Sequence, residues 1–275
     1  MNLVLAITTY NRINYLKELI DSWFVTRNTN YSWKLIIADD GSTDGTKDYL
    51  MNIDYDNILL IFNERKGVSV QTNKIFKELN YLSYDICFKC DDDIIFTKNG
   101  WDDLYCKSIL NSPIKHICYE NPNFNVGDWC KDGILKEQII KEINGCKFIA
   151  RTDIKYTKGC FYTITKDIQD KIGYMDSHNF FHGYEHIDYT IRCSRKGFNN
   201  KKYTFDCYES NDYVSYRFPW NQNQPAIDTK QYFCNGNGFF STYKKKLLLE
   251  DNLRIYIPYN ESKKHMQNNN TGVLI

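Results

Sequence analysis

The 275-residue sequence contains no long apolar stretch and no basic segment leading into an apolar one. A membrane-spanning helix needs about 20 consecutive apolar residues, and a secretory signal needs a charged start before an apolar centre. We therefore expect neither feature, and we expect a soluble, cytoplasmic protein. The ten cysteines are scattered, so we expect reduced core thiols rather than disulfides.

The chain also lacks an excess of charge, with 35 Lys and Arg residues against 34 Asp and Glu residues. Without a strong basic field a protein has little means of gathering nucleic acid, so we expect no nucleic-acid partner. Hydrophobic residues make up 42% of the chain, enough to bury a full core. A single globular unit is expected, with halves at 1–102 and 103–258 and a polar tail at 259–275.

Three familiar motifs are missing from the sequence. It has no Gly-x-Gly-x-x-Gly, no Walker-type Gly-Lys-Ser/Thr and no Gly-x-Ser-x-Gly. These motifs build dinucleotide sites, P-loops and the nucleophile elbow of α/β-hydrolases. Their absence argues against all three classes.

The first hundred residues alternate between short apolar runs and segments of helical periodicity. The runs predict buried strands, and they lie at 3–8, 33–38, 58–62 and 84–89. A helix is predicted after the first strand, capped by Asn11, and another at 68–79. This alternation indicates an α/β fold with a mostly parallel sheet flanked by helices. The second half is less regular.

Polar clusters follow three of the predicted strands, at 8–12, 39–46 and 91–93. In parallel sheets, ligands bind beyond the carboxyl ends of the strands, so the clusters predict one cleft. Asp91 and Asp93 are carboxylates at alternate positions, which suits Mg²⁺ or Mn²⁺ shared with substrate phosphates. A solvated acidic turn is the alternative reading of the cluster. Asp39 and Asp40 alone are equally typical of helix capping.

Together these segments resemble the family 2 glycosyltransferases of GT-A fold. The resemblance rests on Thr8-Thr9-Tyr10-Asn11-Arg12, on Asp39-Asp40-Gly41-Ser42-Thr43-Asp44-Gly45-Thr46 and on Asp91-Asp92-Asp93. Weaker matches lie at 67–73, 158–164, 172–176 and 183–198. The resemblance covers roughly residues 1–200, and the stretches 103–155 and after 205 match the family less well.

The resemblance implies a role for each matching position. The nucleotide-binding set consists of Thr8, Thr9, Tyr10, Asn11, Arg12, Asp39, Asp40, Asn73, Asp91 and Asp92. Within it the first loop and Asp39 or Asp40 hold uracil and ribose, and Asn73 faces the donor. Asp91 and Asp93 take the ribose and an Mn²⁺ or Mg²⁺ ion that bridges both phosphates. The implied donor is a UDP-sugar, and most of the family inverts the anomeric configuration.

One position departs from the family pattern. Where the family usually has Glu-Asp, with Asp as the general base, this chain has Glu185-His186. Glu185 and Asp188 are three apart on a predicted helix and could both flank the site. His186 could act as a base because its ordinary pKa is near neutral. The candidate catalytic residues are therefore Glu185, His186 and Asp188.

The predicted function is metal-dependent transfer of a hexosyl or N-acetylhexosaminyl group to a glycan, protein or lipid-linked acceptor. A sugar-phosphate nucleotidyltransferase and a non-catalytic nucleotide- or carbohydrate-binding module are the alternatives. Five aromatic residues of the poorly matched stretches could stack on sugars but are expected mostly in the core. They are Trp101, Trp129, Tyr216, Phe218 and Trp220.

Overall fold

A computed structural model describes residues 1–120, 138–151, 157–177, 185–200, 203–217 and 255–259. The strands are β1 (Asn2–Thr9), β2 (Ser32–Asp39), β3 (Ile58–Phe62), β4 (Ile86–Asp91), β5 (Ile94–Phe96), β6 (Gln138–Ile143), β7 (Cys146–Arg151), β8 (Phe161–Thr165), β9 (Thr204–Cys207) and β10 (Val214–Tyr216). The helices are α1 (Ile13–Thr26), α2 (Thr46–Met51), α3 (Val68–Leu79), α4 (Trp101–Asn111), α5 (Lys166–Ile172) and α6 (Glu185–Lys196). No helix within the described ranges is long and apolar enough to cross a bilayer. A cytoplasmic location stays a prediction.

The central sheet has five strands in the order β3-β2-β1-β4-β8. Its first four strands are parallel, and β8 pairs with β4 in the antiparallel sense. The α/β fold with a mostly parallel sheet is thereby confirmed. The predicted strand at 58–62 and helix at 68–79 match β3 and α3 in both bounds.

The apolar run in β1 is explained by burial on both faces of the sheet. Leu3, Leu5 and Ile7 enter one core cluster, while Val4 and Ala6 enter the other. A strand covered on both faces loses the alternation of a half-exposed strand. Each large side chain buried in this way contributes about 1.5–3 kcal/mol.

Aromatic side chains fill much of the core on the first of these faces. Trp101 is fully buried, and its ring stacks on Phe96 with centroids 3.9 Å apart and planes at 17°. Trp33 and Phe88 pack against Trp101. The prediction that Trp101 belongs to the core is confirmed. Tyr216 is half-buried, and Trp129, Phe218 and Trp220 lie outside the described residues.

The cysteines of the described ranges behave as core residues. All eight are buried and unpaired. Cys87 and Cys90 enter different core clusters and so lie on opposite faces of β4, as expected for residues three apart on a strand. They do not form a chelating pair.

Two small sheets complete the fold. One has the order β6-β7-β9, with antiparallel pairs. In the other, β10 pairs with β5 directly after the turn 92–93. The backbone N–H of Arg217 donates to the carbonyl of Asp93 at 2.8 Å. The chain beyond residue 205 therefore returns to the acidic turn.

A buried arginine ties α5 and α6 together. The Arg192 side chain has no exposed surface, and its Nε donates to Asp188 Oδ2 at 2.9 Å. Its Nη1 donates to the carbonyl of Ile172 and its Nη2 to that of Tyr174, each at 2.8 Å. Since a buried charge is costly without a partner, Asp188 is the counter-ion that makes this link stable.

We expect Asp188→Ala to lower the free energy of unfolding by about 3 kcal/mol, because it leaves the buried guanidinium without a counter-ion. Urea denaturation measures the change. The control is Asp170→Ala, which breaks an exposed i,i+4 pair with Lys166 and should cost under about 0.5 kcal/mol. Equal effects of the two substitutions would contradict the role given to Asp188.

Candidate active site

Strand register brings the three polar clusters to one edge of the sheet. Thr8 pairs with Asp91 across β1 and β4, and Thr9 pairs with Asp39 across β1 and β2. Thr9 Oγ1 also donates to Asp92 Oδ2 at 2.8 Å. The predicted convergence of these strand ends in one cleft therefore agrees with the structure.

The acidic turn is held by Arg12. The Nη1 atom of this residue lies 2.9 Å from both Asp92 Oδ1 and Asp93 Oδ2. Burial opposes the charge of Arg12, but Asp92 and Asp93 outweigh it and raise its pKa. The sequence suggested Arg12 as a nucleotide contact. In the structure Nη1 is committed to the acidic turn, which makes Arg12 its counter-ion.

A second cation, Lys89, was not anticipated from the sequence. Its side chain is 2% exposed, and its Nζ donates to Asp91 Oδ1 and, at 3.0 Å, to Thr8 Oγ1. Burial lowers the pKa of Lys89, but the charge of Asp91 outweighs burial and raises it overall. The available signal was a Lys within an apolar strand, two residues before Asp91 and thus on the same face.

The acidic turn fits a divalent cation. The Asp91 side chain is 32% exposed, and Asp93 Oδ1 is buried and accepts no hydrogen bond from a described residue. Burial and the neighbouring charges of Asp92 and Asp91 raise the pKa of Asp93, so added positive charge would be favourable. Within the described ranges, no group of three or more His, Cys, Asp and Glu side chains is placed to hold a metal ion by itself. Mg²⁺ commonly uses one or two carboxylates plus substrate phosphates, which matches this arrangement.

The two acids of the second motif have different partners. Asp39 accepts a 2.5 Å hydrogen bond from Ser42 Oγ and pairs with Thr9 across β1 and β2. Asp40 accepts hydrogen bonds from the backbone N–H groups of Lys66 and Gly67 and from Gln71 Nε2, at 2.6, 2.8 and 2.5 Å. Asp40 thus anchors the loop before α3, and of the two acids Asp39 is the better candidate for nucleoside contact.

Gly41 is required where this loop passes the second motif. Its φ is +80°, and a Cβ there would lie 2.9 Å from Arg65 N and from Asn63 O. These neighbours are backbone atoms and cannot yield as a flexible side chain can. The backbone at residues 63–65 can therefore pass this close to position 41 only because that residue is a glycine.

The prediction that Asn11 caps α1 is wrong. Asn11 has a φ of 50°, and its Oδ1 accepts a hydrogen bond from Thr43 N at 2.7 Å. The N–H of Ile13 instead donates to Asp44 Oδ2 at 2.9 Å. Asn11 therefore joins the first and second motifs, and Asp44 serves the start of α1 from a distant part of the chain.

Tyr10 offers an aromatic face beside the cleft. Its side chain is partly exposed, and Arg65 Cζ lies 4.3 Å from its ring centroid. Such a ring can stack on a planar base, and a nearby guanidinium adds a cation–π contact. This position suits the predicted role of Tyr10 in nucleotide binding.

Asn73 has a structural role that the sequence did not predict. It is 3% exposed, its Nδ2 donates to the carbonyl of Met175 at 2.9 Å and its Oδ1 accepts from the N–H of Met175 at 2.7 Å. This reciprocal pair fixes α3 to the segment after α5. We therefore assign Asn73 to positioning rather than to donor contact.

The structure separates the three candidates for the catalytic base. Asp188 is 4% exposed and is paired with Arg192, so it is a structural counter-ion rather than a base. Glu185 begins α6, and its charge and that of Asp91 both act on Lys89. His186 Nδ1 lies 3.3 Å from Glu185 Oε1. Glu185 and His186 therefore contact each other at the start of α6, and the charge of Asp91 acts on His186.

We expect Asp40→Ala to lower the free energy of unfolding by about 2–4 kcal/mol, because three donors lose their acceptor. Chemical denaturation measures this change. Asp54→Ala, at an exposed position, is the control and should change stability by less than about 0.5 kcal/mol. A loss for Asp40→Ala no larger than the control's would contradict the anchoring role.

Comparisons with known proteins agree with this geometry. Residues 4–126 match the family model described as Glycosyl transferase family 2. An uncharacterized glycosyltransferase of Acanthamoeba polyphaga mimivirus, R363, is 29% identical over 197 residues, which cover 69% of this chain and 72% of that protein.

Solved structures share the fold. TarS 1-349 of S. aureus in complex with UDP has a TM-score of 0.57 and 16% identity, over 91% of this chain and 70% of that chain. The mannosyltransferase PcManGT of Pyrobaculum calidifontis, in complex with GDP-Man and Mn²⁺, has a TM-score of 0.51 and 13% identity. That match covers 72% of this chain and 53% of the mannosyltransferase, so the chain spans about half the length of that enzyme.

The family model, the viral relative and the shared architecture agree: this chain is similar to family 2 glycosyltransferases over residues 4–126 and has a GT-A-like fold.

Proposed function

We propose that this protein transfers a hexosyl or N-acetylhexosaminyl group from a UDP-sugar to an acceptor hydroxyl, using a divalent cation and inverting the anomeric centre. The observation that carries the proposal is the sheet edge where Asp39 and the turn 91–93 converge, with the charge of Glu185 acting on Lys89 nearby. UDP in TarS and GDP-Man with Mn²⁺ in PcManGT support a nucleotide-sugar as the donor class.

The nucleoside would lie over the first loop and the second motif. Tyr10 supplies the ring for stacking, and Asp39 supplies a carboxylate at the same edge. Thr8 and Thr9 lie between these motifs and the acidic turn, and Asn11 fixes the loop through Thr43. These contacts favour a planar base and ribose at this end of the cleft.

Asp91 and Asp93 would hold the cation, with the donor diphosphate as its remaining ligand. A bound Mn²⁺ or Mg²⁺ supplies Lewis-acid stabilisation of the leaving nucleoside diphosphate. Arg12 forms ion pairs with Asp92 and Asp93, and Lys89 forms an ion pair with Asp91. The chain thereby orients its oxygen ligands before the donor binds.

The acceptor side is formed by the start of α6. Glu185 and His186 stand near Asp91, where an acceptor hydroxyl could give up its proton as it attacks the anomeric carbon. A glycan, protein or lipid-linked acceptor would be selected by the stretches 103–155 and after 205, which resemble the family least.

Two alternatives make different predictions. A sugar-phosphate nucleotidyltransferase usually carries a Gly-rich, Lys-containing loop after its first strand, and residues 9–14 contain neither Gly nor Lys. A non-catalytic module is suggested by His186 at the position of the family's base. Such a module would bind UDP yet release none from a UDP-sugar.

We expect the purified protein to release UDP from one or two UDP-sugars in the presence of Mn²⁺ or Mg²⁺ together with an acceptor mixture, and EDTA should abolish the release. A nucleoside-diphosphate assay over a panel of UDP- and GDP-sugars measures it. Release of pyrophosphate from a nucleoside triphosphate and a sugar phosphate would favour the nucleotidyltransferase. UDP binding without metal-dependent release would favour the module.

The same assay tests the acidic turn. Asp91→Asn and Asp93→Ala should each reduce turnover at least about 100-fold, because each removes an oxygen ligand of the cation. Asp54→Asn is the control, and melting temperatures confirm that the variants are folded. Wild-type turnover in Asp93→Ala with metal present would show that the metal site is misplaced.

A further inference from the structure

The His186 ring lies between two hydrogen-bond acceptors. Its Nε2 is 2.7 Å from the carbonyl oxygen of Thr157, and its Nδ1 is 3.3 Å from Glu185 Oε1. A carbonyl oxygen can only accept, so Nε2 must carry a hydrogen. An ionised carboxylate also only accepts, so the second contact requires a hydrogen on Nδ1 as well. With Glu185 ionised, both contacts are those of an imidazolium.

The charged surroundings favour the same state. Charged and titratable groups surround Glu185 and His186. Asp91 and Lys89 contribute from β4 and Tyr162 from β8, and Lys158 lies directly before Gly159, the residue next to the His186 ring. Burial opposes protonation, but the hydrogen bond and charge of Glu185, the Thr157 carbonyl and Asp91 outweigh burial and raise the pKa of His186. These surroundings therefore shift the ring toward its charged form.

Gly159 provides the seat for this ring. A Cβ at Gly159 would lie 2.5 Å from His186 Cγ and 2.7 Å from its Nδ1. Real Cβ atoms do not approach other atoms so closely, so any other residue would displace the imidazole. The loop before β8 thus gives the ring both a hydrogen-bond acceptor and the space to reach it.

A doubly protonated ring cannot accept a proton from an acceptor hydroxyl. Asp188 is committed to Arg192, so Glu185 is the better candidate of the two acids in the first turn of α6. The contact with His186 Nδ1 places a ring nitrogen beside the Glu185 carboxylate. His186 would then serve Glu185 by charge and orientation.

We infer that Glu185 is the general base of the transfer and that His186 is a cationic positioning residue. The His186 ring, anchored on the Thr157 carbonyl, holds the Glu185 carboxylate in place. The inference rests on the proposed function. The acceptor O–H bond breaks and its proton passes to the Glu185 carboxylate, while the acceptor oxygen forms the new bond to the anomeric carbon. The bond between that carbon and the diphosphate oxygen breaks, and its electron pair leaves with the nucleoside diphosphate.

The ring charge can be read without any activity. In ¹⁵N-histidine-labelled protein at pH 7.5, about one unit above the ordinary pKa of histidine, we expect both ring nitrogens of His186 to carry a proton. In Glu185→Gln the same ring should be neutral at that pH. His186→Asn identifies the resonance. A neutral His186 ring in the wild-type protein would overturn the positioning role.

Kinetics test the base. Glu185→Gln should lower kcat/KM at least about 100-fold at unchanged UDP affinity, since a general base contributes about 10²–10⁴-fold. His186→Asn, which keeps one donor, should lose less and should change the pH profile of kcat. Glu142→Gln, on an exposed part of β6, is the control.

The outcomes separate this inference from the proposed function. A wild-type protein that releases UDP and a Glu185→Gln variant that releases it equally well would overturn Glu185 as the base and leave the transferase intact. A wild-type protein inactive with every donor would count against the transferase itself, while the NMR experiment still decides the charge of His186.

Discussion

Charge balance at the end of β4 is the constraint on which the candidate active site depends. Three consecutive carboxylates stand there, and two of them are almost fully buried. Such a cluster would repel itself apart or take up protons unless cations were built in beside it. Arg12 supplies one cation from the loop after β1, and Lys89 supplies the other from within β4. The cleft exists because these two basic groups hold the acids in place.

Elsewhere in the site, side chains of one motif form hydrogen bonds with backbone groups of another segment. Asp40 serves the loop before α3, Asp44 serves the start of α1, and Asn73 serves the segment after α5. A buried backbone group without a partner is costly, so each of these acids and amides has a structural reason to be present. Fewer of the motif residues face a ligand than the sequence pattern alone would indicate.

The sequence predicts much of the fold because its signals are local. Continuous apolar runs identified β1 to β4, and their polar ends identified the cleft, since parallel strands end at a common edge. The individual roles were harder to predict because they depend on partners far along the chain. The sequence alone predicts Asn11 as a helix cap, whereas in the structure its side chain binds Thr43. The sequence alone also makes Asp188 a candidate base, whereas in the structure it pairs with the buried Arg192. The sequence does not predict the role of Lys89, because its hydrogen bond to Thr8 joins two strands that are far apart in the chain.

The pairing of β10 with β5 bears on how such a protein can diversify. Because Val214–Tyr216 completes a sheet with the three residues that follow the acidic turn, the late part of the chain is a structural neighbour of the chemistry. The N–H of Arg217, just beyond it, donates to Asp93 itself. A substitution of the segment 214–217 would therefore also have to preserve the pairing with β5.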